Sequence, residues 1–243
     1  MPLVGLLPTL MRFQNSRQKF AAIISRTNDD SMTASKSHAS ATVNEHKLSI
    51  DRPLVSIVYH SGSGHTAEMA RAVAKGVSSA GEVSVAQHRI LDEDFKGSRW
   101  LNEEVLKQLD ESDAIIFGSP TYMGSVSAQL KAFLDATSSR CPQRKWVDKV
   151  AAAFTVSAHP SGDKLNMLVT CSIFAMQHGM IWVGVAEGSN LGIFFGAAGR
   201  AIDEPPSEMP SAEDKLTGEM LGRRVARLTR RLHPTRRHLP KYE

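Results

Sequence analysis

Three short segments of this 243-residue chain gather small, hydroxylated and aromatic residues directly after apolar runs, and chemistry is to be sought there. The first is Ser61-Gly62-Ser63-Gly64-His65-Thr66. Its small residues let successive backbone N–H groups turn inward, and Ser61, Ser63 and Thr66 add hydroxyl donors. His65 opens a helix whose N-terminus favours an anion. The segment lacks the lysine of a P-loop and the spacing of a dinucleotide loop, so the expected ligand group is a phosphate monoester held by neutral donors. The second segment runs Gly118-Ser119-Pro120-Thr121-Tyr122-Met123-Gly124-Ser125. Pro120 and the glycines stiffen it, Tyr122 and Met123 offer a flat polarizable surface, and its amides can address the polar edge of a planar ring. The third, Ser157-Ala158-His159-Pro160-Ser161-Gly162, is a turn rich in small residues. Each segment taken singly also reads as a plain strand–helix turn; three in succession carry more weight.

The elements that must position these segments alternate. Leu54–Tyr59 (LVSIVY) is a β-branched apolar run after Pro53, a first strand. His65–Ser79 puts Met69, Ala72, Val73 and Val77 on one helical face. A strand over Glu82–Ile90, a helix over Leu101–Leu109, a strand over Ala114–Phe117 and a helix over Ser127–Asp135 follow. Next come a strand over Val150–Val156, a helix over Asp163–Gln177, a strand over Met180–Ala186 and a closing helix over Ala212–Leu232. Five strands separated by helices imply parallel pairing and right-handed crossovers, that is, a doubly wound three-layer α/β/α sandwich. Ligands bind such sheets beyond the carboxyl ends of the strands, which is where all three segments fall.

Residues 1–50 read as a disordered or non-native extension and residues 51–200 as the ligand-binding domain. Residues 201–233 hold a C-terminal helix packing on that domain, and residues 234–243 are a tail. Leu216, Met220, Leu221, Val225 and Leu228 form the packing face of that helix, and Arg223, Arg224, Arg227, Arg230 and Arg231 its solvated side. The formal charge of +4 sits in the ends: residues 51–200 hold 14 Lys and Arg against 15 Asp and Glu. A near-neutral body argues against nucleic-acid binding. Cys141 and Cys171 make neither a disulfide framework nor a zinc pattern, which suits a reducing cytosol and a cytoplasmic location. A transit-like reading of the basic, acid-free first 28 residues is the weaker alternative. Leu165–Ala186 carries no formal charge apart from His178 and is long enough to span a bilayer. Asn166, Gln177, His178 and Gly179 interrupt it, so it divides into a buried helix and a buried strand, and no integral membrane segment is expected.

The stretches SGSGHTAEMARAVAKG, FGSPTYMGSVSAQLKAFLD and MQHGMIWVG together resemble the WrbA family of flavodoxin-like NAD(P)H:quinone oxidoreductases. The likeness covers roughly Leu54 to Val183, and the middle stretch is its most specific part. It implies a flavodoxin-like five-stranded parallel sheet and a non-covalent FMN, with NAD(P)H as electron donor and a quinone-like acceptor. Ser61, Gly62, Ser63, Gly64, His65 and Thr66 would hold the FMN phosphate. Tyr122, Met123 and Gly124, with Pro120 and Thr121 shaping the turn, would lie against the isoalloxazine. Ser157, Ala158, His159, Pro160, Ser161 and Gly162 would line its other edge. His178, in the family's His-Gly-Met, would approach the ring as a donor to a flavin or quinone oxygen, its bland alternative being a helix cap before Gly179. The chain departs from the family at His159-Pro160, at Ser63, at Cys141 and in a shortened connection over Glu187–Gly199. The resemblance implies a homotetramer, and a homodimer is the other assembly expected. Three readings stay open beside the quinone reductase: a flavodoxin-type electron carrier, an FMN-dependent reductase of nitro or azo compounds, and a degenerate flavin-free binding module.

Overall fold

A computed structural model describes residues 52–186 and 191–238, with side chains as far as His233. The expected extension over residues 1–50 lies outside the described residues. β1 (Leu54–Tyr59) is the hub of a parallel sheet, paired on one side with β2 (Ser84–Arg89) and on the other with β5 (Ala114–Tyr122). β7 (Val150–Ser157) pairs next, in register Ala114↔Val150 through Pro120↔Val156. A strand with neighbours on both edges and helices on both faces needs apolar residues without alternation, which is why LVSIVY and VAAAFTV are continuous runs. β2, at the edge, is mostly exposed or half-buried and alternates more.

The fifth position of the sheet departs from the expected single strand over Met180–Ala186. It is split between β8 (Ile181–Trp182), which pairs with the start of β7, and β9 (Ala197–Arg200), which pairs with its end. Ala-Ala-Gly-Arg has no β-branched or aromatic residue, so nothing local marks it as a strand. Two short additions were equally silent: the hairpin of β3 (Phe95–Lys96) with β4 (Arg99–Trp100), and β6 (Ser125–Val126), which folds back antiparallel on β5.

Helices cover both faces. α1 (His65–Ser78) and α5 (Ala212–His238) pack on one face over Val55, Ile57, Ile116, Ala152 and Phe154. α2 (Glu103–Glu111), α3 (Ala128–Ala136) and α4 (Lys164–Gln177) close the other over Val58, Ile115, Phe117 and Ala151, with Trp100, Phe133 and Trp146 filling the space between. Full burial of each large apolar side chain is worth about 1.5–3 kcal/mol. α1 and α5 approach so closely that a Cβ on Gly76 would stand 2.0 Å from the Glu219 carbonyl oxygen, and one on Gly222 would stand 2.1 Å from that of Val73. Two glycines therefore set the depth to which the C-terminal helix docks. That helix continues to His238, past the expected end at Leu232 and through Pro234.

The charge-free stretch resolves into α4 and β8 with a turn at Gly179 between them. No helix among the described residues is long and apolar enough to cross a membrane.

Candidate functional site

The first segment is built as a donor cradle. Ser61 Oγ accepts from Ala67 N at 3.1 Å, which pins the loop onto the first turn of α1 and leaves the Ser61 hydroxyl proton to be donated elsewhere. Gly64, with φ of 100°, makes the left-handed step into the helix that a residue with a side chain takes only under strain. None of the N–H groups from Gly62 to Thr66 is spent on another group of the described residues, and the Thr66 hydroxyl, almost wholly buried, is likewise uncommitted among them. His65 Nε2 lies 2.7 Å from the Glu204 carbonyl, so that nitrogen carries the proton and Nδ1 accepts from Ser63 Oγ at 2.9 Å in the neutral ring. His65 thus ties the loop to the segment beyond β9. Arg89, at the end of β2, donates Nη2 to the Ser61 carbonyl at 2.7 Å. The loop's own sequence supplies no cation, and the neighbouring strand thus places one against its carbonyl side.

The second segment proves to be mostly strand. β5 runs through Pro120, Thr121 and Tyr122, and the turn itself is Met123-Gly124 at the tip of the hairpin with β6. Both turn residues have positive φ, 47° and 76°, the conformation of a two-residue hairpin whose twist matches its strands. Met123 is fully exposed, while Tyr122 swings back so that its hydroxyl stands 2.8 Å from where a Cβ on Gly62 would be. Tyr122 therefore spans from the second segment to the first. Beneath it His60, Ser127 and Ser119 form a buried chain, with His60 Nδ1 2.9 Å from Ser127 Oγ and Ser119 Oγ 3.1 Å from the same atom. Burial, reinforced by nearby Arg89, holds the His60 ring below its usual range and so neutral. Thr121 Oγ1 meets Thr155 Oγ1 at 2.7 Å, joining the second segment to the strand that carries the third.

These pieces enclose a cavity of about 250 Å³ lined by Gly62, Ser63, His65, Thr66, Pro120, Thr121, Tyr122, Ser157 and Ala158. Val156 of β7 lines it as well, and Ala201 and Ile202, just after β9, complete the wall. Sequence reasoning missed those two because the strand before them was not legible. The rest of the third segment divides: Pro160 and Ser161 line a separate groove of about 760 Å³ with Leu165, Val169 and Ile193, and His159 and Gly162 line neither. Two cations unforeseen in sequence hold the segment from behind. Lys164 Nζ, at the start of α4, donates to the carbonyls of His159 and Pro160, and Arg200 Nε donates to that of Ala158 at 3.1 Å.

His178 is not brought to this cavity within the chain. It stands at the C-terminal end of α4, and a fourteen-residue helix at 1.5 Å per residue puts it about 21 Å from the third segment. The imidazole is nearly buried, 4.6 Å from the Trp146 ring and 4.8 Å from that of Phe174 between centroids, with Nε2 3.0 Å from Thr137 Oγ1. Desolvation drives its pKa down to about 4 against a weaker opposing pull from Asp110. Helix capping and ring packing describe its place in this fold, and the donor role inferred from the His-Gly-Met stretch has no geometric support here.

The cradle suits a phosphate monoester: uncommitted N–H groups gather at a helix N-terminus with the Ser61 and Thr66 hydroxyls beside them, and Arg89 holds the Ser61 carbonyl. The cavity beside it, walled by Tyr122, Pro120 and backbone, suits a planar ring. Comparisons with known proteins agree. Residues 55–188 match the model of the NADPH-dependent FMN reductase family. A flavodoxin of Pseudomonas aeruginosa is 36% identical over 73% of this chain and 97% of its own length. An NAD(P)H dehydrogenase (quinone) of Archaeoglobus fulgidus is 33% identical over 72% of this chain and 97% of its own. The crystal structure of a WrbA-like flavodoxin from Agrobacterium tumefaciens shares 38% identity, covers 74% of this chain and 98% of that one, and superposes with a TM-score of 0.61. With fold, cradle and relatives in accord, the chain belongs to the NADPH-dependent FMN reductase family of flavodoxin-like proteins.

Proposed function

We infer that this protein is an FMN-dependent oxidoreductase that passes two electrons from NAD(P)H to a quinone-like acceptor. The observation that carries this reading is the donor cradle at the start of α1 opening directly into a cavity walled by the second and third segments. Bound there, FMN supplies the ring that accepts hydride and releases electrons. The chain's own part is binding and orientation. Ser61 to Thr66 hold the phosphate, Thr66 and Ser61 by their hydroxyls and the others by backbone N–H. Tyr122, Pro120 and Thr121 lie against the ring, and Ser157 and Ala158 line its edge. Met123, Gly124 and His159 to Gly162 shape the approaches to the site and touch little of the cavity. No side chain here stands as a covalent nucleophile, and none is required.

The test is steady NAD(P)H oxidation by the FMN-loaded protein with a simple benzoquinone as acceptor. Turnover supports the reductase. Full flavin binding without turnover favours a one-electron carrier, a reading supported by the name flavodoxin on the Pseudomonas relative. The near-neutral body speaks against a carrier, since charged partners are steered by a strongly charged docking face. Parallel assays with nitroaromatic and azo acceptors separate the third reading.

Association of copies into a homodimer or homotetramer is part of the same proposal. α4 exposes Leu165, Ile173 and Met176 by half or more, with Ile181 and Phe194 beside them, an uncharged apolar surface unusual for a chain that works alone. Cys141 and Cys171, both free, fit a cytoplasmic setting. Sedimentation at micromolar concentration checks the assembly: a monomer would count against it.

A further inference from the structure

The third segment is held from behind in an unusual way. Lys164 has no exposed surface, yet its ammonium is spent on main-chain oxygens, those of His159 and Pro160. Arg200 reaches the preceding carbonyl, that of Ala158. Three consecutive carbonyls are therefore turned toward two cations that come from different elements, the start of α4 and the end of β9. The third member of the cluster is Asp214, buried in the first turn of α5, whose carboxylate accepts from the Arg200 backbone N–H at 2.9 Å. Asp214 faces both cations, Glu204 lies near enough to Arg200 to feel its charge, and Lys164 is the cation set deepest in the cluster. Burial lowers the Lys164 pKa to about 8, partly offset by Asp214, so the ammonium is still charged at neutral pH.

In a trans peptide the C=O of one residue and the N–H of the next point in opposite directions. Carbonyls of Ala158 and Pro160 drawn back onto Arg200 and Lys164 therefore aim the N–H groups of His159 and Ser161 outward, and Pro160 contributes no donor between them. Neither N–H has a partner among the described residues. The segment is thus a donor-bearing edge backed by buried charge, and its first residues, Ser157 and Ala158, line the cavity.

We propose that Lys164 and Arg200 are positioning residues for the bound flavin, fixing the peptide orientation of residues 158–161 and placing positive charge behind the ring edge so that reduced FMN is held more tightly than oxidised FMN. The proposal rests on the FMN reading above and adds to it which groups set the potential. A flavin ring gains negative charge on reduction, so charge placed behind it favours the reduced form, and pre-fixed dipoles do so with no reorganisation.

The experiment uses the full-length protein with Lys164→Gln, Lys164→Met and Arg200→Gln. Three quantities are read: the dissociation constant of oxidised FMN, the two-electron midpoint potential of the bound flavin, and amide hydrogen exchange of residues 157–163 in the FMN-free protein. Lys164→Gln keeps two N–H donors and loses the charge. It should bind oxidised FMN within about threefold of wild type yet lose about tenfold of the preference for reduced FMN, a potential about 30 mV more negative. Arg200→Gln should shift the potential in the same direction and less, being half-exposed. Lys164→Met also loses the donors, and should weaken oxidised FMN at least tenfold while exchange over residues 157–163 quickens. Unchanged potentials in both glutamine variants overturn the charge half of the proposal. Unchanged FMN affinity and exchange in Lys164→Met overturn the positioning half. A wild-type protein that binds no FMN would refute the function reading instead, and the exchange comparison would still decide the positioning.

Discussion

Acidifying the solution should single out His178 as a destabilising group. Its folded pKa stands at about 4 against an ordinary 6.5. As pH falls below 6.5 the unfolded chain takes up a proton there and the folded protein does not, so stability is lost between 6.5 and about 4 and the loss then levels off. The full difference corresponds to about 3.4 kcal/mol, and at pH 5 to about 2 kcal/mol. The structural cause is plain: the imidazole lies between Trp146 and Phe174, where a cation would be stripped of water. His178→Gln cannot titrate but can keep a hydrogen bond to Thr137. Urea unfolding of both proteins at pH 7.5 and pH 5, in saturating FMN, should show wild type losing about 2 kcal/mol more than the variant on acidification. With a urea slope of about 2 kcal/mol per molar, that is a difference of about 1 M in midpoint shift. The variant should also hold FMN within a few-fold of wild type, because the length of α4 separates it from the cavity. Equal acid losses in the two proteins would refute the buried, neutral His178; release of FMN by the variant would refute its separation from the site.

Thr66→Val and Ser61→Ala should each weaken FMN by about 1.5–3 kcal/mol, or about 10–150-fold by fluorescence titration, as for hydrogen bonds to charged groups. Ser61→Ala should in addition lower thermal stability, since it orphans the Ala67 N–H. Arg89→Gln should weaken FMN about three- to tenfold at low salt and by less near 0.5 M salt, where a partly exposed charge is screened. Gly222→Val should cost at least about 2 kcal/mol, a fall of several degrees in melting temperature, because its Cβ has nowhere to go between α5 and the Val73 carbonyl. A melting temperature within one degree of wild type would show that α5 can lift off α1 without penalty.

The sequence by itself carried the parts of this protein that are local. Continuous β-branched apolar runs such as LVSIVY, alternating with helical patterns, mark buried parallel strands, and Ser-Gly-Ser-Gly-His-Thr between a strand and a helix brings N–H groups to a helix end. The fold class, the direction of the sheet and the first cradle follow from those patterns. What sequence could not carry depends on which distant residues meet. Ala197–Arg200 is a strand only because the edge of β7 is free to receive it, and Ala201 and Ile202 wall the cavity only because that strand ends there. Arg89 and Arg200 lie 28 and 42 residues from the carbonyls they hold, Ser61 and Ala158, and no motif links such pairs. His178 shows the same limit from the other side. Its neighbours in sequence suggested a ligand donor, but α4 is a rigid rod, and the rod's length puts the ring in the aromatic core at the far end of the sheet.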